Sequence, residues 1–173
     1  FAALASGLQL GDTQYDAGIT VFSGFLVVDP FSILLDLVVL GVTASTVLFA
    51  GDFARSHRFE YGEQEALLLI AAFGVMMLNH AGTLLALFLG IETMSIAVYV
   101  MVGARWNSKR SSEAALKYFI MGAFASGLLV MGIALIYGAT GTFDLAELGK
   151  RVAPLFSGKG SWQAAMPVII DLR

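Results

Sequence analysis

The chain of 173 residues is 58% hydrophobic and only 13% charged, with a mean hydropathy of +0.81, against about 45–50% apolar and 25% charged residues in an ordinary soluble domain, which excludes a water-soluble globule. A net charge of −3 with no basic cluster excludes a nucleic-acid binder. The absence of cysteine excludes a disulfide framework, a zinc knuckle and a thiolate-held iron–sulfur cluster within these residues.

The opening FAALASGLQL is apolar, too short to span a bilayer and without a basic leader, so it reads as the end of an earlier helix and the chain as a piece of something longer. Residues 11–30 hold three aspartates and no Lys or Arg, which assigns 1–30 to a helix end and an outward loop. Four apolar runs then approach the ~20 residues that a spanning helix needs. Run 31–50 contains one charge, Asp36, and opens on Asp29-Pro30, an acceptor followed by a proline suited to the first helical turn. Run 66–78 is only thirteen residues, so it spans only with Glu63, Gln64 and Glu65 at one interface and Asn79-His80 at the other. Runs 83–103 and 112–138 are long enough unaided, the latter started by Ser111 or Ser112 with Glu113. The short 79–82 connection requires antiparallel neighbours. Residues 139–173 carry two of the three prolines and no spanning run, and read as an extramembrane loop or truncated end with a short surface helix over 145–152. The predicted fold is all-α, a polytopic transmembrane bundle with about four spanning helices over 31–138.

Charge placement sets the orientation. Arg55 and Arg58 in one loop, and Arg105, Lys109 and Arg110 in another, face the cytoplasm under the positive-inside rule, with the acidic 11–30 segment and the 79–82 turn outside. Lys150 and Arg151 in the outward tail run against it and are partly balanced by Asp144 and Glu147.

Glu92 is the lone charge in run 83–103. A charge near a bilayer centre costs about 2.5–3.5 kcal/mol on insertion scales, which makes an intramembrane carboxylate a functional candidate. It reads either as a protonated carboxyl that hydrogen-bonds a neighbouring helix or as a proton-relay carboxylate. Ser95 and Tyr99, three and seven residues on, extend a polar stripe along its helix face that can hold water. Lys117 lies only about 8 Å into the last run and can either relay protons or snorkel to the cytoplasmic interface. The two depths differ by roughly 8 Å and the side chains lean apart, which disfavours a direct salt bridge but leaves about 2 kcal/mol of interaction at an effective dielectric of ~20. Asp36 reads as structural, reaching the outer interface, and His80 as a solvated or hydrogen-bonded loop histidine. His57 lies in a basic loop. Gly122, Ala123, Ser126 and Gly127 form small-xxx-small pairs suited to close helix packing, and Met76, Met77 and Met121 read as packing filler.

The stretch LLALFLGIETMSIAVYVMVG, followed by KRSSEAALKYFIMGAFASGLLVMGIALIYGATGTFDL, resembles the subunit N family of bacterial proton-pumping NADH:quinone oxidoreductase, respiratory complex I. The shared pattern is F-x-G-I-E and then E-A-x-x-K-Y at the same separation, extending weakly back to Val28-Asp29-Pro30-Phe31 and covering most of 28–145. The resemblance implies a longer bundle of about fourteen helices, of which this chain holds helices three to six. It places Glu92 as the essential glutamate of helix five and Lys117 as the lysine of helix six. It implies proton transfer along a hydrated midplane axis in a bacterial inner membrane, with other membrane-arm subunits, the lipid bilayer, protons and internal water as partners. It implies no cofactor in this chain, with NAD, FMN, iron–sulfur clusters and quinone in partner subunits. The family's lysine-bearing broken helix seven and H-x-W-x-P-D segment have no counterpart here, so a fragment, a divided protein or a truncated product is expected. A subunit of a multi-subunit cation/proton antiporter and a structural membrane fragment are the alternatives.

Overall fold

The computed structural model describes residues 18–57, 61–105 and 107–156. Strands β1 (Ile19–Val21) and β2 (Leu26–Val28) precede helices α1 (Pro30–His57), α2 (Tyr61–Asn79), α3 (Leu84–Gly103), α4 (Lys109–Thr140) and α5 (Leu145–Phe156). The helix end expected before residue 18 and the tail beyond 156 lie outside the described residues.

Local chemistry starts and stops these helices. Asp29 opens α1: its carboxylate accepts from the Ser32 amide at 2.6 Å, while Ser32 Oγ accepts from the Asp29 amide at 3.1 Å. Thr83 caps α3 by accepting from the Ala86 amide at 3.1 Å. Helix α4 starts earlier than Ser111 or Ser112, because Ser108 takes the capping position and accepts from the Ser111 amide at 3.3 Å. The Ser111 hydroxyl is then free to donate to the Val102 carbonyl at 2.6 Å, tying the start of α4 to the end of α3. At its other end α4 runs past Gly138 to a left-handed Gly141, whose amide donates to the Tyr137 carbonyl at 2.6 Å. Such a C-terminal glycine meets the backbone conformation without a Cβ penalty. Helix α1 likewise continues beyond its apolar run into the expected basic loop.

Among the described residues, three helices are long and apolar enough to cross a membrane: Pro30–Phe49, Leu84–Gly103 and Lys109–Thr140. At 1.5 Å per residue, the 20 residues of α3 reach about 30 Å, the thickness of a bilayer's hydrocarbon. Helix α2, with its shorter apolar run, packs against both α1 and α3, and its contact with α3 is the most extensive in the molecule. The close approach is made by glycine: a Cβ on Gly74 would lie 2.6 Å from the Met94 amide nitrogen, and one on Gly90 would lie 2.9 Å from that of Leu78. The tight crossing therefore belongs to α2 and α3. The small residues of α4 divide: Gly127 meets nothing within 4 Å, whereas a Cβ on Gly122 would overlap the Tyr99 hydroxyl, so Gly122 makes room for that ring of α3.

The 18–30 segment contains an antiparallel hairpin rather than a loop, with Ile19 opposite Val28 and Val21 opposite Leu26. Sequence periodicity hides it because each strand has three residues. Its tip holds Phe22 and Ser23 at φ 52° and 57°, conformations that cost roughly 1–2 kcal/mol for a residue with a side chain. Backbone bonds fasten the hairpin to the α2–α3 turn: the Val27 amide donates to the His80 carbonyl at 2.8 Å and the Gly82 amide to the Phe25 carbonyl at 3.0 Å. The Leu84 amide bonds the Phe143 carbonyl at 2.9 Å and the Leu145 amide bonds that of Gly82 at 3.0 Å, so the segment after α4 joins the same cap.

The amphipathic α5 was expected over 145–152 and extends to Phe156. Asp144 caps it, accepting from the Glu147 amide at 2.8 Å. Arg151, which ran against the charge rule, is held by Glu147 at 3.1 Å and donates to the Thr140 carbonyl.

Candidate functional site

Glu92 sits on the third turn of α3, half-buried where that helix meets α4. Its Oε1 accepts a hydrogen bond from the Ser126 hydroxyl of α4. Ser126 thus partners the intramembrane acid as well as being a small packing residue. Thirty-four positions separate the two, so no local pattern announces the bond.

Lys117 faces elsewhere. Its Nζ donates to Glu113 Oε1 at 2.5 Å, one turn back toward the start of α4, and both side chains are largely exposed, at 70% and 64%. The direction is that of a lysine reaching toward the helix N-terminus and the interface. The partner of Lys117 is thus Glu113 and that of Glu92 is Ser126, and the two do not meet in a direct pair.

An open cleft of about 700 Å³ lies between α3 and α4, lined on α3 by Met94, Ser95 and Tyr99 and on α4 by Lys117, Tyr118 and Met121, among others. Two of the three polar residues of the α3 stripe, Ser95 and Tyr99, therefore line the same space as Lys117. Tyr99 packs edge-on to Phe119 at 6.3 Å and tilted to Tyr118 at 6.5 Å, closing one wall with aromatic rings. The liquid share of one water is about 30 Å³, so the cleft has the volume for several, in a lining that is mainly apolar and carries the Ser95 and Tyr99 hydroxyls.

Asp36 lies at the hairpin end of its helix and is enclosed by protein, 4% exposed. Its Oδ1 accepts from Asn79 Nδ2 at 3.0 Å and its Oδ2 lies 2.8 Å from His80 Nε2. Of the two readings of His80, solvated or hydrogen-bonded, the structure shows the second: its Nδ1 also lies 3.0 Å from the Val27 carbonyl oxygen. Pairings across 43 and 44 positions draw these groups inward.

Long apolar helices packed antiparallel, with large hydrophobic side chains such as Phe124 and Leu135 turned outward, define a polytopic helical membrane protein. Residues 81–170 match the family model described as NADH:quinone oxidoreductase/Mrp antiporter, TM, and the chain belongs to that family. It is 45% identical over 136 residues to NADH-quinone oxidoreductase subunit N 1 of Sorangium cellulosum, an alignment covering 79% of this chain and 27% of the relative. It is 38% identical over 162 residues to subunit N 1 of Herpetosiphon aurantiacus, covering 94% of this chain and 32% of the relative. The chain therefore spans about a third or less of the curated relatives it matches. Among solved structures, a chain of respiratory complex I from Thermus thermophilus with bound aureothin superposes with a TM-score of 0.59 at 25% identity, covering 97% of this chain and 40% of that one. A chain of an archaeal membrane-bound sulfane sulfur reductase shares the fold at a TM-score of 0.66 and 22% identity, covering 97% of this chain and 37% of that one.

Proposed function

We propose that this chain is part of an antiporter-like subunit in the membrane arm of a bacterial inner-membrane NADH:quinone oxidoreductase, and that Glu92 carries protons in it. The observation that carries the reading is the partner of Glu92, a hydroxyl on the neighbouring helix. A lysine or arginine in that place would hold the carboxyl in its charged form. A serine hydroxyl donates to a carboxylate and accepts from a carboxylic acid, so the Ser126 bond survives both protonation states. Release and uptake at Glu92 then leave the α3–α4 contact in place.

The adjoining cleft supplies the path. Water held by Ser95, Tyr99 and Lys117 links the surface near Glu113 toward Glu92, and Lys117 is the movable charge. While Lys117 binds Glu113 its field is largely offset; when it turns into the cleft, its positive charge moves toward Glu92 and couples the two sites. Redox chemistry takes place in partner subunits that hold NAD, FMN, iron–sulfur clusters and quinone, and this subunit contributes no redox group. The family description also covers cation/proton antiporters, and sodium-dependent proton exchange without NADH oxidation would favour that assignment.

The test is proton pumping by the intact complex in inverted membrane vesicles. Glu92→Gln is expected to abolish pumping or reduce it sharply, and Glu92→Asp to retain part of it. Full pumping by the Gln variant rejects the relay.

A further inference from the structure

The Asp36–His80 pair lies at the hairpin end of the bundle, the end opposite Lys117, and the proposed relay does not use it. Its hydrogen-bond geometry fixes how many protons it holds. The Val27 carbonyl oxygen, 3.0 Å from His80 Nδ1, can only accept, so Nδ1 carries a hydrogen. Reversing the ring would place carbons against both Val27 and Asp36, so the two contacts together set its orientation. The 2.8 Å contact of Nε2 with Asp36 Oδ2 then needs a proton of its own. Without one, the Nε2 lone pair would face the carboxylate lone pairs in a site where Asp36 is 4% exposed. Imidazolium with carboxylate, or imidazole with carboxylic acid, both satisfy the contact, and each contains one proton more than imidazole with carboxylate.

Among the described residues, the basic side chain paired with Asp36 is His80. Residues 18–49 and 61–103 contain no Lys or Arg. The acidic groups on the surrounding elements are engaged elsewhere: Asp29 with Ser32 at 2.6 Å, Asp144 in capping α5 at 2.8 Å, and Glu92 with Ser126 farther along α3. The cations of α5 are Lys150 and Arg151, and Arg151 is held by Glu147 at 3.1 Å. Glu63 and Glu65 lie at the other end of α2, and the hairpin itself has no titratable side chain. Neutrality at Asp36 therefore comes from the shared proton. The His80 side chain is 17% exposed, which gives that proton a route to solvent.

We propose that Asp36 and His80 form a second proton-binding site, which holds one exchangeable proton and uses it to fasten the β1–β2 hairpin to α1 and the α2–α3 turn. The proton completes the chain Asn79–Asp36–His80–Val27. Its loss as pH rises leaves an unpaired acceptor against a carboxylate and frees the ring from Val27.

Asp36→Asn separates the proton from the structure. The amide can donate from Nδ2 to Nε2 of a neutral His80 and accept from Asn79 at Oδ1, which keeps both bonds without the extra proton. The measurement is nitrogen-15 NMR of the full-length protein in lipid nanodiscs, with the His80 resonances assigned by their loss in His80→Gln, together with hydrogen exchange at the Val27 amide. In the wild type, His80 is expected to keep Nδ1–H, to show a proton shared at Nε2 that is lost on raising the pH, and to lose at least tenfold in Val27 protection with it. Asp36→Asn is expected to keep a neutral Nδ1–H ring and a Val27 protection that no longer depends on the same transition. Asp36→Leu, which removes both bonds, sets the exchange rate of a detached hairpin. A wild-type ring found as the Nε2–H tautomer, or a Val27 transition unchanged in Asp36→Asn, would overturn the proposal. Neither readout depends on translocation through Glu92, so the two ideas fail separately.

Discussion

At the scale of single residues, the features that stand out in the sequence are those that violate their surroundings. Glu92 and Lys117 are legible because each is a charge in an apolar run, and the depth argument against their direct pairing agrees with the observed Lys117–Glu113 bond of 2.5 Å. What each acid touches is another matter. Ser126, Asn79 and His80 reach their partners across 34, 43 and 44 positions, and only the helix packing decides which side chains meet. The Ser126 assignment makes a specific prediction. Ser126→Ala leaves the Glu92 carboxyl without its donor, a loss of about 1–3 kcal/mol for a buried polar group. Pumping should fall by less than in Glu92→Gln, because the titrating group remains. Ser126→Thr, which restores the hydroxyl, should recover most of it, and failure of that rescue would assign Ser126 to packing alone. Vesicle pumping measured on the three variants at equal complex content reads the difference.

At the scale of elements, apolar runs and capping residues locate the four long helices well. Thr83 marks the start of α3 because a hydroxyl before an apolar run satisfies an otherwise orphan amide. The start of α4 misleads for a related reason: three serines, Ser108, Ser111 and Ser112, compete, and the one that also lets Ser111 reach Val102 wins. The three-residue strands leave too short a pattern to read, and their pairing depends on backbone bonds to the α2–α3 turn. Close backbone packing follows the glycines of α2 and α3, and of the small residues of α4 Gly122 meets a neighbour and Gly127 does not, because spacing alone does not say which face is in contact. Gly74→Leu should therefore separate α2 from α3, at a cost of about 1–3 kcal/mol or more from overpacking. Unfolding of the full-length protein in mixed micelles measures it, with Gly90→Leu expected to act alike. An unchanged unfolding midpoint in both variants would place the crossing elsewhere.

At the scale of the whole molecule, two polar sites occupy different levels of one bundle. The hairpin end gathers Asp36, Asn79 and His80 under a cap made from three separate segments, whereas the Glu92–Ser126 bond lies within the span beside an open cleft. Large exposed side chains run the length of α4, among them Met121, Phe124, Met131 and Leu135, and Ile133 is its one buried residue. A surface of that kind is matched by lipid or by further helices. The membrane character is evident from composition, and the family from the spacing of Glu92 and Lys117; the cleft on which the proposed proton path depends is not, because side chains from two helices form it. The central claim is that Glu92 gains and loses a proton during turnover. The most direct measurement is the infrared difference spectrum of the intact complex between its resting and NADH-energised states, compared between wild type and Glu92→Gln. The account predicts a carboxylic-acid carbonyl band that changes with turnover in the wild type and is missing from the variant; a wild-type spectrum with no band that Glu92→Gln removes would contradict it.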